Sequence, residues 1–193
     1  MSKNLIDPRL EQQKCYKRAM QSYVLMLYEF VLELEPNKIL EIGVNRGQST
    51  KTMLMALNVI GSGKLISIDH KNRENILNDE YDDLKKYWEF IKCDSHTSES
   101  LGAVIKILDE EELYDILFID GDHKMPGVKQ DFYTYSKIVK PGGIIIMHDI
   151  CNNNEDVYKV WEKIKWEKFG LNWGKAGKGI IPGIGIIKKP LKS

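Results

Sequence analysis

Cysteine is scarce in this chain and poorly spaced for chemistry. Cys15, Cys93 and Cys151 are odd in number and far apart, with no CxxC pair and no Cys/His zinc spacing. A disulfide-stapled secreted scaffold and a zinc finger are therefore excluded, and a reduced, cytoplasmic setting is expected. Neither charge is in excess, since Lys plus Arg is 28 and Asp plus Glu is 28. Polyanions select a basic surplus, so neither nucleic acid nor an anionic membrane is expected as the main partner. No apolar stretch approaches the ~18 residues of a membrane span. Met1 to Arg9 lacks the basic-then-apolar order of a signal peptide. Internal repeats and low-complexity runs are missing as well.

What is present is an ordinary globular composition. The 193 residues are 42% hydrophobic and 29% charged. A chain of this length can bury ~70% of the surface its unfolded form exposes, so it needs no staples. One domain over 1–193 is expected, with an N-terminal helical segment (1–36) leading into a core (37–193). Five short apolar runs recur, at Ile39–Ile42, Leu65–Ile68, Trp88–Ile91, Ile116–Ile119 and Ile144–Met147. Such runs suit strands buried on both faces. Each gap between them holds one helix and two loops, which predicts βαβ units, an α/β fold and a mostly parallel, doubly wound sheet.

Helices are expected over Gln48–Asn58, Ser98–Leu108, Pro126–Val139 and Asn154–Lys168, and a more polar one over Asn72–Lys86. Pro141-Gly142-Gly143 should stop the third of these and turn into the fifth strand. Tyr16, Met20, Tyr23, Val24, Leu27, Val31 and Leu34 recur at helical spacing ahead of the first strand. That helix packs on the sheet in the simplest reading, and forms a lid or a dimer surface in the functional ones. Leu171-Asn172-Trp173 and Gly183–Lys188 read as an antiparallel hairpin at the sheet edge.

Ligands of open α/β sheets bind beyond the carboxyl ends of the strands. There the sequence places Gly43-Val44-Asn45-Arg46-Gly47-Gln48-Ser49, then Asp69-His70, Asp94-Ser95-His96, Asp120-Gly121-Asp122-His123 and His148-Asp149. All four histidines and most of the acids with chemical potential share this one edge. The glycine stretch lets backbone approach a ligand closely. It is not the G-x-G-x-x-G fingerprint, because Asn45 stands at its second glycine, and this counts against a pyrophosphate and against NAD. A carboxylate at Asp69 can accept both hydroxyls of a ribose. Asp94-Ser95 reads equally as an adenine contact or as a helix N-cap.

These segments, in this order, resemble class I S-adenosylmethionine-dependent methyltransferases. Within that class the chain looks like the small bacterial O-methyltransferases related to the catechol, caffeoyl-CoA and macrolide-sugar enzymes. The resemblance runs from about Ile39 to Ile187. It implies a Rossmann-like sheet of seven strands with the last antiparallel, and S-adenosylmethionine as cofactor. It also implies that Glu41 and Gly43 line the methionine end, and Gly47 and Ser49 are expected to bind the cofactor as well. Asp69 and His70 would meet the ribose side, Asp94 and Ser95 the adenine, and Asp120 both cofactor and metal. His148 and Asp149 fall where metal-dependent relatives carry a second acid pair, and His123 where they carry a catalytic lysine or histidine. Lys124 is a fallback base.

The expected reaction is metal-assisted O-methylation of a small hydroxylated molecule, a sugar or a phenol. Its hydroxyl has a pKa of ~10 or higher and must lose its proton. His123 is mostly neutral at pH 7 and can take it. A divalent ion on Asp120, Asp149 and His148 would lower the hydroxyl pKa, with Mg²⁺ suiting the oxygens and Mn²⁺ favoured if His148 takes part. The alternatives are a metal-independent methyltransferase and a cofactor-binding protein without turnover. The chain has no room for a large insert, so the acceptor site is expected either open or completed by another subunit in a homo-oligomer. Trp166, Trp173 and Lys175–Gly179 read as an acceptor loop or as a simple connection.

Overall fold

A computed structural model describes Asp7, Arg9 and residues 18–109, 112–151, 156–171 and 183–191. Helix α1 (Arg18–Leu34) leads into β1 (Lys38–Ile42), α2 (Gln48–Ile60) and β2 (Lys64–Asp69). Two short 3₁₀ segments, Glu74–Ile76 and Asp79–Tyr87, precede β3 (Trp88–Lys92). Then come α3 (Ser98–Ile105), β4 (Tyr114–Ile119), α4 (Gly127–Tyr135), β5 (Val139–His148), α5 (Val157–Lys163), β6 (Lys168–Leu171) and β7 (Ile184–Lys188).

The five apolar runs form β1 to β5 where the sequence places them. They assemble with β6 and β7 into a seven-stranded sheet of order β3-β2-β1-β4-β5-β7-β6. Pairings among β1 to β5 are parallel, and β7 is inserted antiparallel between β5 and β6. Alternation along the strands divides the core in two. Ile39, Ile116, Phe118 and Ile146 face α1 and α2, joining Tyr23, Leu27, Leu54 and Leu57. Leu40, Leu117, Ile119 and Ile145 face the other way, joining Val104 of α3, Phe132 of α4 and Trp161 of α5. A sheet covered on both faces needs its strands apolar throughout, which is why these runs show no polar alternation.

The order reverses between β1 and β4. From β1 the chain steps outward to β2 and β3, then returns to β4 on β1's other side. At such a switch point the loops leaving two neighbouring strands diverge and open a crevice. Here those loops begin at Gly43 and Asp120, whose backbone N–H groups donate to Ile68 and Ile42 carbonyls at 2.9 Å each.

Several expectations need correction. The polar stretch 72–86 does not form an α-helix. Its buried residues, Leu77, Tyr81, Leu84 and Tyr87, are served by tight 3₁₀ turns with a kink at Tyr81. Helix α5 stops at Lys163, because Ile164 turns to extended backbone and the chain enters β6 at Lys168. The described hairpin strand therefore begins at Lys168, ahead of the predicted Leu171, and residues 172–173 lie outside the described residues. Pro141-Gly142-Gly143 sits inside β5 rather than before it, opposite a register irregularity between Tyr114 and Ile116. Tyr16, Trp173 and the 175–179 loop lie outside the described residues. Among the described residues no helix is long and apolar enough to cross a membrane.

Candidate active site

The turn after β1 is fixed from beneath by Glu41. This carboxyl is fully buried and accepts the hydroxyls of Ser49 (2.6 Å), Thr50 (2.7 Å) and Ser67 (2.6 Å), which ties β1 to the first turn of α2 and to β2. It lines neither cavity described below, so it supports the glycine turn from inside. Gly47 packs against the Ile76 side chain. Burial pushes the Glu41 carboxyl up to about 7, although the three hydroxyls favour its charge.

This has a measurable consequence. Between its ordinary value and about 7 the native state holds a proton that the unfolded chain has released, so stability falls as pH rises through that window. The melting temperature of Glu41→Gln relative to wild type should climb by on the order of 5 °C between pH 5 and pH 8. A difference that stays flat across the range would mean that Glu41 is already ionised at pH 5.

Asp69, at the end of β2, reaches back to the same turn. Its Oδ2 accepts the Val44 and Asn45 N–H groups, both at 3.1 Å, and its Oδ1 accepts the Lys71 N–H at 2.8 Å. Arg73 approaches Oδ2 at 3.3 Å. Burial opposes ionisation, yet these N–H groups and the guanidinium outweigh it and hold the carboxyl below its ordinary range. Oδ1 keeps acceptor capacity beyond its one backbone bond. His70 is exposed at the rim, 3.5 Å from Asp69 Oδ1. After β3, the N-cap of α3 is Thr97, which accepts the Ser100 N–H. Capping thus does not occupy Asp94 and Ser95, and both line the crevice.

Two cavities open along this edge. One, of about 510 Å³, runs from Gly43 and Asp69 past Asp94, Ser95 and His96 to Asp120. The other, of about 410 Å³, is bounded by Tyr23, Gln48, Ser49, His148 and Asp149. Their linings share Asn45, Asp120 and His123.

At that shared wall four ionisable side chains converge. His123 Nε2 lies 3.1 Å from Asp120 Oδ1, and its Nδ1 lies 3.4 Å from Asp149 Oδ2. His148 Nδ1 lies 3.2 Å from Asp120 Oδ1 and 3.1 Å from Asp149 Oδ2. The His148 ring packs on Tyr23 of α1, with centroids 4.9 Å apart. Burial opposes charge on His148, but the two carboxylates win and raise it to about 10. Asp120 is driven well below the carboxylate range, its burial outweighed by His148 and His123. Asp149 holds a left-handed backbone (φ 61°), which costs a non-glycine residue ~1 kcal/mol. Strain of this kind persists where surrounding structure over-determines it, commonly at functional sites.

Donor atoms of Asp120, His123 and Asp149 lie within 4.8 Å of one another, a spacing able to hold a metal ion. The three-donor set thus contains His123, expected as the base, while His148, expected as a ligand, stands against both carboxylates beside it. Arg73 and Tyr23 are site residues that the sequence does not single out, and Asn45 stands out there only as a departure from the glycine fingerprint. Tyr23 showed only as one apolar position of a helix, and nothing local reveals that it reaches His148.

Residues 40–150 match the family model described as a methyltransferase domain. A comparison with curated proteins found no match. Among solved structures, an O-methyltransferase from Bacillus cereus in complex with SAH aligns with a TM-score of 0.68 at 20% identity, covering 95% of this chain and 92% of that one. The O-methyltransferase TomG from Streptomyces achromogenes, in complex with SAM, aligns at 0.65 and 14% identity over 95% and 91%. The N-methyltransferase NodS from Bradyrhizobium japonicum aligns at 0.61 and 14% over 95% and 98%. At these identities the structural matches speak for the fold, a Rossmann-like α/β sheet. The family match covers more than half of the sequence, and the chain belongs to this family of methyltransferase domains.

Proposed function

We propose that the chain transfers a methyl group from S-adenosylmethionine to a hydroxyl of a small molecule. The observation that carries this reading is the pair of cavities meeting at Asn45, Asp120 and His123. A two-substrate transfer needs one compartment per substrate and a common wall where the reacting atoms meet in line. The cofactor takes the larger cavity, with ribose at Asp69, adenine at Asp94 and Ser95, and the methionine end at Gly43 and Asn45 of the glycine turn. An edge rich in carboxylates suits a sulfonium cation. The bound SAH and SAM of the two O-methyltransferase neighbours support the choice of cofactor.

The acceptor takes the cavity beside Tyr23 and His148. His123 accepts the hydroxyl proton, the freed oxygen attacks the methyl carbon, and the carbon–sulfur bond breaks to leave the neutral thioether S-adenosylhomocysteine. Asp120 and Asp149 flank the two ring nitrogens of His123, so they orient the imidazole and stabilise the cation formed when it takes the proton. Tyr23 closes one side of the cavity against water.

The donor set fits a divalent ion. Two carboxylates and an imidazole converge, and the nitrogens of His148 are buried without a well-formed hydrogen bond. Asp120, His123 and Asp149 would hold the ion, which when bound would supply Lewis acidity to the acceptor hydroxyl, and the role of His123 as base then belongs to the metal-free reading. The placement of His148 against both carboxylates favours a second reading, in which the imidazole ring serves as their counter-group and no metal is needed.

Chelation separates the two readings. Purified protein, SAM and a panel of sugars and phenols are expected to yield S-adenosylhomocysteine. Turnover should fall at least tenfold in excess chelator and return with Mg²⁺ or Mn²⁺. Turnover indifferent to chelator selects the metal-free reading, and failure of SAM and SAH to bind in calorimetry removes both.

A further inference from the structure

Helix α4 supports the cofactor cavity in a way that the transfer reaction does not account for. Asp131, in the middle of α4, is fully buried, and burial pushes its carboxyl up, against the Ser95 side chain, the His96 ring and the Asp122 backbone, which favour its charge. A carboxyl buried this deeply is costly unless its neighbours compensate. One group facing it is His96, whose Nε2 is buried and lies 3.4 Å from Asp131 Oδ1. The opposite nitrogen of the same ring, Nδ1, lies 3.2 Å from Asp94 Oδ1. The ring therefore bridges a carboxyl inside the protein to one that is more than half exposed at the cavity wall. Asp94 is otherwise held by one backbone bond, from the His96 N–H at 2.9 Å.

Two further bonds from α4 fix the same loop. Gln130 Nε2 donates to the His96 carbonyl at 2.7 Å, and the Tyr135 hydroxyl donates to the Ser95 carbonyl at 2.7 Å. Backbone anchoring alone would hold Ser95 and His96 in place without a carboxyl in the core. The buried acid adds control over the ring. With its Nε2 turned to Asp131 Oδ1, the ring presents its Nδ1 to Asp94.

We propose that Asp131 and His96 are positioning residues that set the Asp94 carboxylate for a purine bearing an exocyclic amino group. The inference rests on the assignment of this cavity to the cofactor. An Asp94 oxygen that accepts the His96 backbone N–H and faces His96 Nδ1 at 3.2 Å gives the carboxylate a fixed direction for its remaining lone pairs. The 6-amino group of adenine donates to it, whereas the 6-carbonyl oxygen of hypoxanthine would meet it lone pair to lone pair. A site built around a hydrogen bond rejects the analogue that lacks the donor far more strongly than a merely apolar pocket does. Asp131 and His96 thus make the cavity selective for adenosyl over inosyl nucleosides without Asp131 touching the ligand.

The test is calorimetric binding of S-adenosylhomocysteine and S-inosylhomocysteine to wild type, Asp131→Asn and His96→Gln. Wild type is expected to prefer the adenosyl compound by at least tenfold. Both substitutions should cut that preference about tenfold, mainly by weakening the adenosyl compound. A loop that is only braced by the pair would weaken both compounds equally, so an unchanged ratio in both variants overturns the proposal. His96→Gln alters a side chain at the cavity wall and keeps the comparison open if Asp131→Asn fails to fold. A wild type that binds neither compound refutes the cofactor assignment and the proposal with it. A wild type that binds both, with ratios untouched by substitution, refutes the proposal alone.

Discussion

A chain carrying Asp120→Asn should transfer methyl groups about 10³-fold more slowly than wild type, measured as S-adenosylhomocysteine released at saturating cofactor. The size of the effect follows from how much depends on one carboxylate. Its Oδ1 faces both His123 Nε2 at 3.1 Å and His148 Nδ1 at 3.2 Å. The amide is nearly isosteric, so packing is preserved, but the negative charge is gone. His123 then loses the group that orients one of its nitrogens and stabilises the imidazolium. His148 loses the stronger of the two carboxylates that raise it to about 10. An amide nitrogen is also a donor, and it competes for the lone pair that His123 needs in order to act as a base. The three-donor set shrinks to two, which weakens any divalent ion in the site. Activity within tenfold of wild type would remove Asp120 from the chemistry and leave it as a wall of the cavities.

The sheet was legible in the sequence because burial on both faces forces continuous apolar runs, and five of these are separated by helix-length gaps. The site was legible in outline for the same reason. Once Gly43, Asp69, Asp94, Asp120 and His148 are known to follow strands, topology alone brings them to one edge. The roles at that edge were harder to read. Glu41 follows the pattern of a ligand-lining acid, yet hydroxyls from Ser49, Thr50 and Ser67 enclose it. Two of those hydroxyls come from the helix after β1 and one from β2, and only the folded packing makes them converge. Asp131 shows the reverse. In sequence it is one acid on an amphipathic helix, and its significance lies in a ring that enters from the loop after β3. The equal tally of charges likewise concealed sorting by place. Asp69, Asp94, Asp120, Asp122 and Asp149 all stand at the carboxyl edge, facing histidines and Arg73. The 3₁₀ segments and the early start of β6 were missed because short polar stretches carry little periodicity.

Gly43→Ala should be the most damaging glycine-to-alanine change among the described residues, lowering the melting temperature by ~10 °C and kcat/KM by ~10²-fold. Gly43 has φ +89°, and a Cβ there would stand 2.2 Å from the Asp120 carbonyl oxygen and 2.6 Å from its carbon. Both obstacles are backbone, and neither can move aside cheaply. The Gly43 N–H is bonded to Ile68 and the Asp120 N–H to Ile42, each at 2.9 Å, so the two loops are locked where β1, β2 and β4 meet. The left-handed conformation costs alanine ~1–2 kcal/mol. Forcing a methyl into a packed junction adds ~1–3 kcal/mol. The relief available is to push the Asp120 loop away, and a displacement near 1 Å at a reacting group can cost 10² in rate. Gly61, at the C-terminal end of α2, provides the control. Its φ is +84°, but nothing lies within 4 Å of a Cβ placed there. Gly61→Ala therefore carries the strain without the collision, and should lower stability by ~1 kcal/mol while leaving kcat/KM near wild type. If the two substitutions behaved alike, backbone strain would explain both and the tight approach of β1 to the Asp120 loop would be irrelevant to catalysis. A large loss of activity confined to Gly43→Ala ties the rate to the placement of Asp120, by a route that leaves its carboxylate chemically intact.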